Sequence, residues 1–180
     1  MSPLPAELGD GAVLRRLVLD DLEDLWAAVE RERERLGVWM PWVALTPTIE
    51  EQRSWLESVS SNQSSLEGCG VFVDGRYVGG VGLMPGAYDI AGEVGYWIDS
   101  EHEGRGLVTR AVRVLVGIGL EELGLNRIVI RVGVENHRSR VIPERLGFTR
   151  EGIERGSGRG TGGYYDLVVY SMLRGEWPRL

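Results

Sequence analysis

Lysine is missing from this chain: all 20 of its basic residues are arginine. An absence that complete points to genome composition rather than to function. Cysteine is nearly missing as well, and a lone Cys69 excludes an internal disulfide and disfavours a structural zinc site. In its strand-like run Cys69 reads as a small buried hydrophobe rather than a nucleophile. No uncharged apolar run approaches the roughly 18 residues that a membrane helix needs. Met1 to Asp10 shows no positive region followed by an apolar stretch, so no secretory signal is expected. With the single cysteine, this points to the cytoplasm. A net charge of −7 without a basic stripe disfavours nonspecific nucleic-acid binding. It is compatible with a cationic or amine-bearing partner, which long-range attraction would favour.

What is present is an ordinary globular composition of 180 residues, 43% hydrophobic and 26% charged, enough for one well-buried domain. Residues 1–10 are expected to be a flexible N-terminus. Residues 12–19 read as a strand and Asp20-Asp21 as a helix start, after which Leu22, Leu25, Trp26 and Val29 recur at helical spacing. The run Arg31-Glu32-Arg33-Glu34-Arg35 reads as a solvated helix face. An aromatic, proline-broken loop follows at Trp39-Met40-Pro41-Trp42-Val43. Thr48-Ile49-Glu50-Glu51 is a capping box that opens a second helix to about Ser60. Residues 69–74 and 76–84 flank Asp74-Gly75, a hairpin signal, and a further strand reads Glu93 to Ile98. Residues 107–123 have helical period and end at Gly124, and 127–134 form a β-branched strand. Asn136 caps a short helix that stops near Gly147. Two final strands fit Phe148–Glu154 and Tyr164–Leu173, with Gly156 to Gly163 as a mobile loop between them. The predicted fold is a single mixed α+β domain: a mostly antiparallel twisted sheet of six or seven strands flanked by about four helices.

The stretch Gly104-Arg105-Gly106-Leu107-Val108-Thr109 lies between a strand and a long helix. A glycine loop leading into a helix is a simple device for holding phosphate, because the first helical N–H groups lack partners and glycine permits close approach. Alone, a G-x-G pattern is a weak signal that surface turns carry constantly. About 30 residues on come Asn136-His137-Arg138-Ser139 and then Leu146-Gly147-Phe148. Together with Trp39-Met40-Pro41-Trp42, Ala91 to Trp97 and Tyr165 to Leu173, these motifs resemble the GNAT acyltransferases, and within them the RimJ/RimL branch, which acetylates N-terminal amines of ribosomal proteins. The resemblance covers about residues 10–178.

The resemblance implies acetyl-CoA as co-substrate, with no metal, and a cofactor loop of Glu103, Gly104, Arg105, Gly106, Leu107, Val108 and Thr109. Glu101, His102 and Glu103 depart from the Gln or Arg that the family usually has at the start of that loop. Carboxylates there are unfavourable beside a pyrophosphate, so their side chains are expected to point away. Asn136 either caps its helix alone or also hydrogen-bonds the pantetheine arm. The helical tyrosine that protonates the departing thiolate in many relatives would fall seven residues after Asn136, where this chain has Pro143. Ser139 is then the substitute, by a hydrogen bond to the developing negative sulfur; otherwise it merely solvates the first helical turn. Glu93 is the first choice of general base, as a carboxylate desolvated among apolar strand residues, with Asp166, Glu135 and His102 behind it. The alternative for Glu93 is a solvent-facing or structural carboxylate. Trp39, Trp42, Tyr88, Tyr164 and Tyr165 are candidates for the acceptor side; the tryptophans read equally as a lid or as a contact in a homodimer. Trp26, Trp55 and Trp97 read as core. The expected activity is direct acetyl transfer to a primary amine, above all a protein N-terminus. A small-molecule amine and a catalytically silent acyl-CoA-binding module are the alternatives.

Overall fold

A computed structural model describes residues 4–62, 66–86 and 90–178. Among these described residues eight strands form one sheet: β1 Ala6–Gly9, β2 Ala12–Arg16, β3 Leu66–Val73, β4 Arg76–Pro85, β5 Ala91–Ile98, β6 Arg127–Gly133, β7 Thr149–Gly160 and β8 Gly163–Leu173. Their spatial order is β1-β2-β3-β4-β5-β6-β8-β7. Every pairing is antiparallel except β5 with β6. Four α-helices among the described residues flank it: α1 Leu22–Gly37, α2 Ile49–Ser60, α3 Leu107–Gly117, prolonged by a wide turn to Glu122, and α4 His137–Arg145.

Strand periodicity divides the core between two faces of the sheet. Val71 and Val73 of β3 join Leu107, Ala111, Val112 and Leu115 of α3, with Ile128 and Ile130. Phe72, between those valines, turns the other way and packs with Leu22, Leu25 and Val29 of α1 and Leu56 and Val59 of α2. Two helix caps read from local sequence are formed. Thr48 Oγ1 accepts from the Glu51 N–H while Glu51 reaches back to the Thr48 N–H, and Asn136 Oδ1 accepts from the Ser139 N–H.

The structure corrects the sequence reading in three places. The sheet has eight strands rather than six or seven, because residues 6–9 are not a loose terminus. The turn at Gly9-Asp10-Gly11 folds them back as β1 along β2, and Leu8 is buried in the core. The segment 156–163 is not a loose connection either. β7 and β8 continue through it as a hairpin whose tip packs on the end of α1, with the Thr161 N–H on the Gly37 carbonyl at 2.9 Å. A Cβ on Gly160 would meet the Val38 carbonyl oxygen at 2.0 Å, and one on Gly158 the Tyr165 ring at 2.1 Å. Those glycines serve close packing, not mobility. Finally, the charged run of α1 is not uniformly solvated: Glu32 is 5% exposed.

The feature that shapes the site is the single parallel pairing. β5 and β6 are in register only from Ala91, Gly92 and Glu93 to Arg127, Ile128 and Val129. Beyond Glu93 and Val129 the strands part, and the sheet opens from one face to the other. Alongside the paired end of the fork, β6, β8 and β7 are tied by charged rungs as well as by backbone. Arg127 grips both oxygens of Glu151 at 2.5 Å, and the Ser171 hydroxyl adds a bond at 2.7 Å. Arg127 and then Ser171 hold the Glu151 carboxyl down at about 2, well below the ordinary carboxylate range. A depressed pKa stabilises the fold above the unfolded value of about 4.3 and loses that effect as pH falls towards 2. Glu151→Gln is therefore expected to lower stability at pH 7 by no more than about 1 kcal/mol, since the pair is partly solvated. Urea unfolding should show the gap to wild type shrinking between pH 5 and pH 3; a gap independent of pH would contradict it.

Candidate active site

Two cavities meet at the fork. One, of about 540 Å³, is bounded by the loop before α3, by α4 and by Arg35 and Leu36 at the end of α1. The other, of about 530 Å³, lies on the α1/α2 face between Trp39, Trp42, Trp55, Gln52, Tyr77 and the parted strands. They share Trp39, Met40, Tyr96, Trp97, Asn136 and Ser139. A molecule in each could therefore touch through the sheet without either crossing it.

The first cavity ends at the glycine turn before α3. Gly104 and Gly106 have φ of +75° and +73°, the left-handed region that a side chain would strain. Gly106 stands at the N-cap of α3 and offers no side chain to the first helical N–H groups. The first helical hydrogen bond runs from the Arg110 N–H to the Gly106 carbonyl, so the N–H groups of Leu107, Val108 and Thr109 remain for a ligand. Arg110 adds charge beside Gly106. Its Nη2 meets Asp10 Oδ2 at 3.1 Å, while its buried Nε has no partner among the described residues. These groups fit a diphosphate. Arg105, also in the loop, is exposed and does not line the cavity.

At the acidic start of the loop Glu101 is exposed and lies off the cavity, but Glu103 is neutralised rather than turned away. Glu103 lines the cavity, with its carboxylate between Arg35 Nη1 at 2.8 Å and Arg138 Nη1 at 2.5 Å. Arg35 also donates from Nε to Glu32 Oε2 and from Nη2 to the Ile98 carbonyl. Glu32 in turn accepts from the Ser100 N–H at 3.0 Å and the Ser100 hydroxyl at 2.7 Å. Burial would raise the Glu32 pKa, but the two Ser100 bonds and Arg35 outweigh it and hold the carboxyl below its ordinary value. Asp99, 1% exposed, accepts from the His102 N–H at 3.0 Å and sits 2.6 Å from His102 Nδ1. Arg31 donates to its second oxygen. Through these contacts α1 fixes the strand-to-helix loop that carries the glycine turn.

At the fork itself, Asn136 is the cap of α4 and also lines both cavities. Ser139 faces the same junction, and its hydroxyl donates to Tyr96 Oη at 3.2 Å. Tyr96 carries no signal in the sequence beyond a strand position, yet its hydroxyl sits where the cavities join and donates to the Ser139 carbonyl at 2.9 Å. Glu93 lies at the second cavity, but not in the apolar seclusion expected from its strand. It is 40% exposed and paired with Arg131 Nη1 at 2.5 Å across the fork, and Arg131 also holds Glu154. Of the other carboxylates considered as bases, Asp166 is occupied by the Gly156 N–H at 2.7 Å and Glu135 lies 3.6 Å from His137. Neither lines a cavity.

The second cavity brings together Trp39, Trp42 and Tyr165. The rings of Trp39 and Tyr165 meet edge-to-face at 5.3 Å, and the Tyr165 hydroxyl donates to the Trp39 carbonyl at 2.6 Å. Tyr164 does not join them; it is 75% exposed near Arg159. Tyr88 lies outside the described residues. Trp55 and Trp97, read as core, line this cavity together with Gln52, which no sequence pattern singled out. Cys69 lies on its wall as a buried thiol pushed up to about 11 by burial, so it stays protonated and unreactive.

A splayed sheet with a glycine-led helix on one side and an open cavity on the other defines an acyl-transfer fold, and the chain belongs to the GNAT acetyltransferases. The family model "Acetyltransferase (GNAT) domain" matches residues 12–149. YdaF of Bacillus subtilis (strain 168), named "Putative ribosomal N-acetyltransferase", is 34% identical over 175 residues, 95% of this chain and 96% of that one. The ribosomal-protein-serine acetyltransferase of Escherichia coli (strain K12) is 31% identical over 81 residues, 45% of each chain. Among solved structures, one described as a probable acetyltransferase has a TM-score of 0.86 at 32% identity, covering 96% of this chain and 98% of its own. RimL, the ribosomal L7/L12 alpha-N-protein acetyltransferase solved with coenzyme A, also reaches 0.86 at 20% identity, over 93% and 96% of the two chains, a likeness of fold.

The brace between α1 and the loop is testable. Glu32→Ala strips Ser100 and Arg35 of a shared acceptor and is expected to cost about 2–3 kcal/mol in urea unfolding. Glu34→Ala, on the exposed face, should change stability by under about 0.5 kcal/mol. Equal losses would show that Glu32 is an ordinary surface residue.

Proposed function

We propose that the chain transfers the acetyl group of acetyl-CoA directly to a protein N-terminal amine, in a complex that holds both substrates at once. The observation that carries this reading is the pair of cavities meeting at Asn136, Ser139 and Tyr96. Acetyl-CoA supplies an activated acyl thioester. The N–H groups of Leu107, Val108 and Thr109, in the turn set by Gly104 and Gly106, hold its diphosphate, and Asn136 meets the pantetheine arm. The acceptor enters from the side of Trp39, Trp42, Trp55 and Tyr165. Glu93 takes the proton from the acceptor's ammonium, directly or through a water, while Arg131 orients its carboxylate. Ser139 Oγ donates a hydrogen bond to the departing sulfur, so charge developing there meets a fixed dipole.

The likeness to YdaF and to the ribosomal-protein-serine acetyltransferase supports a ribosomal-protein acceptor. A ribosome-directed enzyme works in the cytoplasm, where the free Cys69 thiol is also at home. Thiol release measured with a panel of N-terminal peptides, polyamines and aminoglycosides tests the reading, with the peptides expected to turn over fastest. Coenzyme binding without turnover on any amine would instead favour a silent binding module.

Two substitutions test the assignments within it. Gly106→Glu places a carboxylate in the proposed diphosphate cradle and a side chain at positive φ; calorimetry should show coenzyme A binding abolished while circular dichroism stays native. Unchanged affinity would remove the cradle from the site. Glu93→Gln is expected to lower turnover by about 10²–10⁴ at neutral pH, with recovery at alkaline pH as the free amine becomes abundant. A normal rate across pH would reject Glu93 as the base.

A further inference from the structure

Pro143 lies inside α4, four residues after Ser139. In a regular helix the N–H of residue 143 would bond the carbonyl of residue 139, and proline has no N–H to give. The Ser139 carbonyl is therefore left without its helical donor, at the wall shared by both cavities. A partly buried carbonyl in that state is costly. The donor comes from another element: Tyr96 on β5 extends across the fork and gives its hydroxyl hydrogen to the Ser139 carbonyl at 2.9 Å. The same phenol oxygen accepts from Ser139 Oγ at 3.2 Å, while the Ser139 N–H is held by Asn136. One tyrosine thus fixes Ser139 at its main chain and its side chain, and Asn136 fixes it from the third side.

We infer that Tyr96 is a positioning residue for acetyl transfer: it replaces the helical hydrogen bond removed by Pro143 and aims the Ser139 hydroxyl into the junction of the two cavities. This rests on the reading of Ser139 as the donor to the departing sulfur. In the resting site the Ser139 hydrogen lies on Tyr96 Oη; during transfer it turns to the sulfur, and the Tyr96 hydrogen stays on the carbonyl. That exchange is a rotation about the Ser139 Cβ–Oγ bond, with no covalent bond made or broken. Burial raises the Tyr96 pKa, so the phenol keeps its proton throughout the working range of pH. The arrangement also ties the free part of β5 to α4, which holds the fork at one width.

The test is a set of variants read by thermal unfolding, coenzyme A calorimetry and steady-state kinetics. Tyr96→Phe removes one hydroxyl; it should lower Tm by about 2–4 °C and kcat about tenfold, with KM for the acyl donor and coenzyme A affinity within about twofold. Pro143→Ala restores an N–H to the Ser139 carbonyl and should leave activity near wild type. In the double variant Tm should recover to that of Pro143→Ala while kcat stays low, because the carbonyl has a donor again but the serine hydroxyl has no anchor. A wild-type kcat in Tyr96→Phe, or a kcat that recovers with Tm in the double variant, would overturn the inference. Ser139→Ala separates the two readings. If it is slow and Tyr96→Phe slows it no further, Tyr96 acts through Ser139. If Tyr96→Phe slows it as much as it slows wild type, Tyr96 acts independently and the inference fails. Full activity in Ser139→Ala would refute the role of Ser139 itself.

Discussion

The parting of β5 from β6 is the constraint on which the rest of the site depends. Parallel strands normally pair along their length, and an unpaired stretch leaves backbone groups that must be satisfied or opened to a ligand. Here the register ends at Glu93 and Val129, and both cavities open where it ends. Each neighbouring element keeps the fork from closing or widening. α3 and α4 pack on one face and carry the cradle and the Asn136 cap, while α1, α2 and the loop at Trp39 wall the other. Arg131 spans the fork to Glu93 at its closed end, and Tyr96 reaches Ser139 further along.

A second theme is how charge is balanced around the proposed diphosphate site in a net-acidic chain without lysine. Arginine carries the charge, and its planar fork lets one side chain serve several acceptors. Arg35 meets Glu32 within α1 and also Glu103 and the Ile98 carbonyl, so α1 is fastened both to the end of β5 and to the loop before α3. Glu103, which stands where a carboxylate beside phosphate is unfavourable, is held between two arginines. Charge at the mouth of the cradle is set by this cluster as a whole, and an isolated Glu103 would give the wrong sign.

What could be read in the sequence was local. The Thr48–Glu51 capping box, the Asp74-Gly75 hairpin, the Asn136 cap and the glycine turn before α3 each depend on residues a few positions apart, and each is where it was expected. What could not be read depends on distant partners. Glu32 binds Ser100 across 68 positions, Tyr96 meets Ser139 across 43, and Tyr165 meets Trp39 across 126. The glycines at 158 and 160 illustrate the limit. A glycine-rich run signals a flexible turn or a tightly packed one, and only the ring of Tyr165 and the backbone of Val38 decide between them. Pro143 belongs with these: it stands out at once as a missing tyrosine, while the compensating hydroxyl lies on another element and faces it only in three dimensions.

The central claim is that the fork between β5 and β6 is where the acyl donor and the acceptor meet. A crystal structure of the chain with coenzyme A bound tests this most directly. The account predicts the diphosphate on the N–H groups of Leu107, Val108 and Thr109, and the thiol in the fork beside Ser139 and Tyr96, with β5 and β6 still parted beyond Glu93 and Val129. A thiol lying outside the fork, or strands that pair onward and close it, would contradict the account.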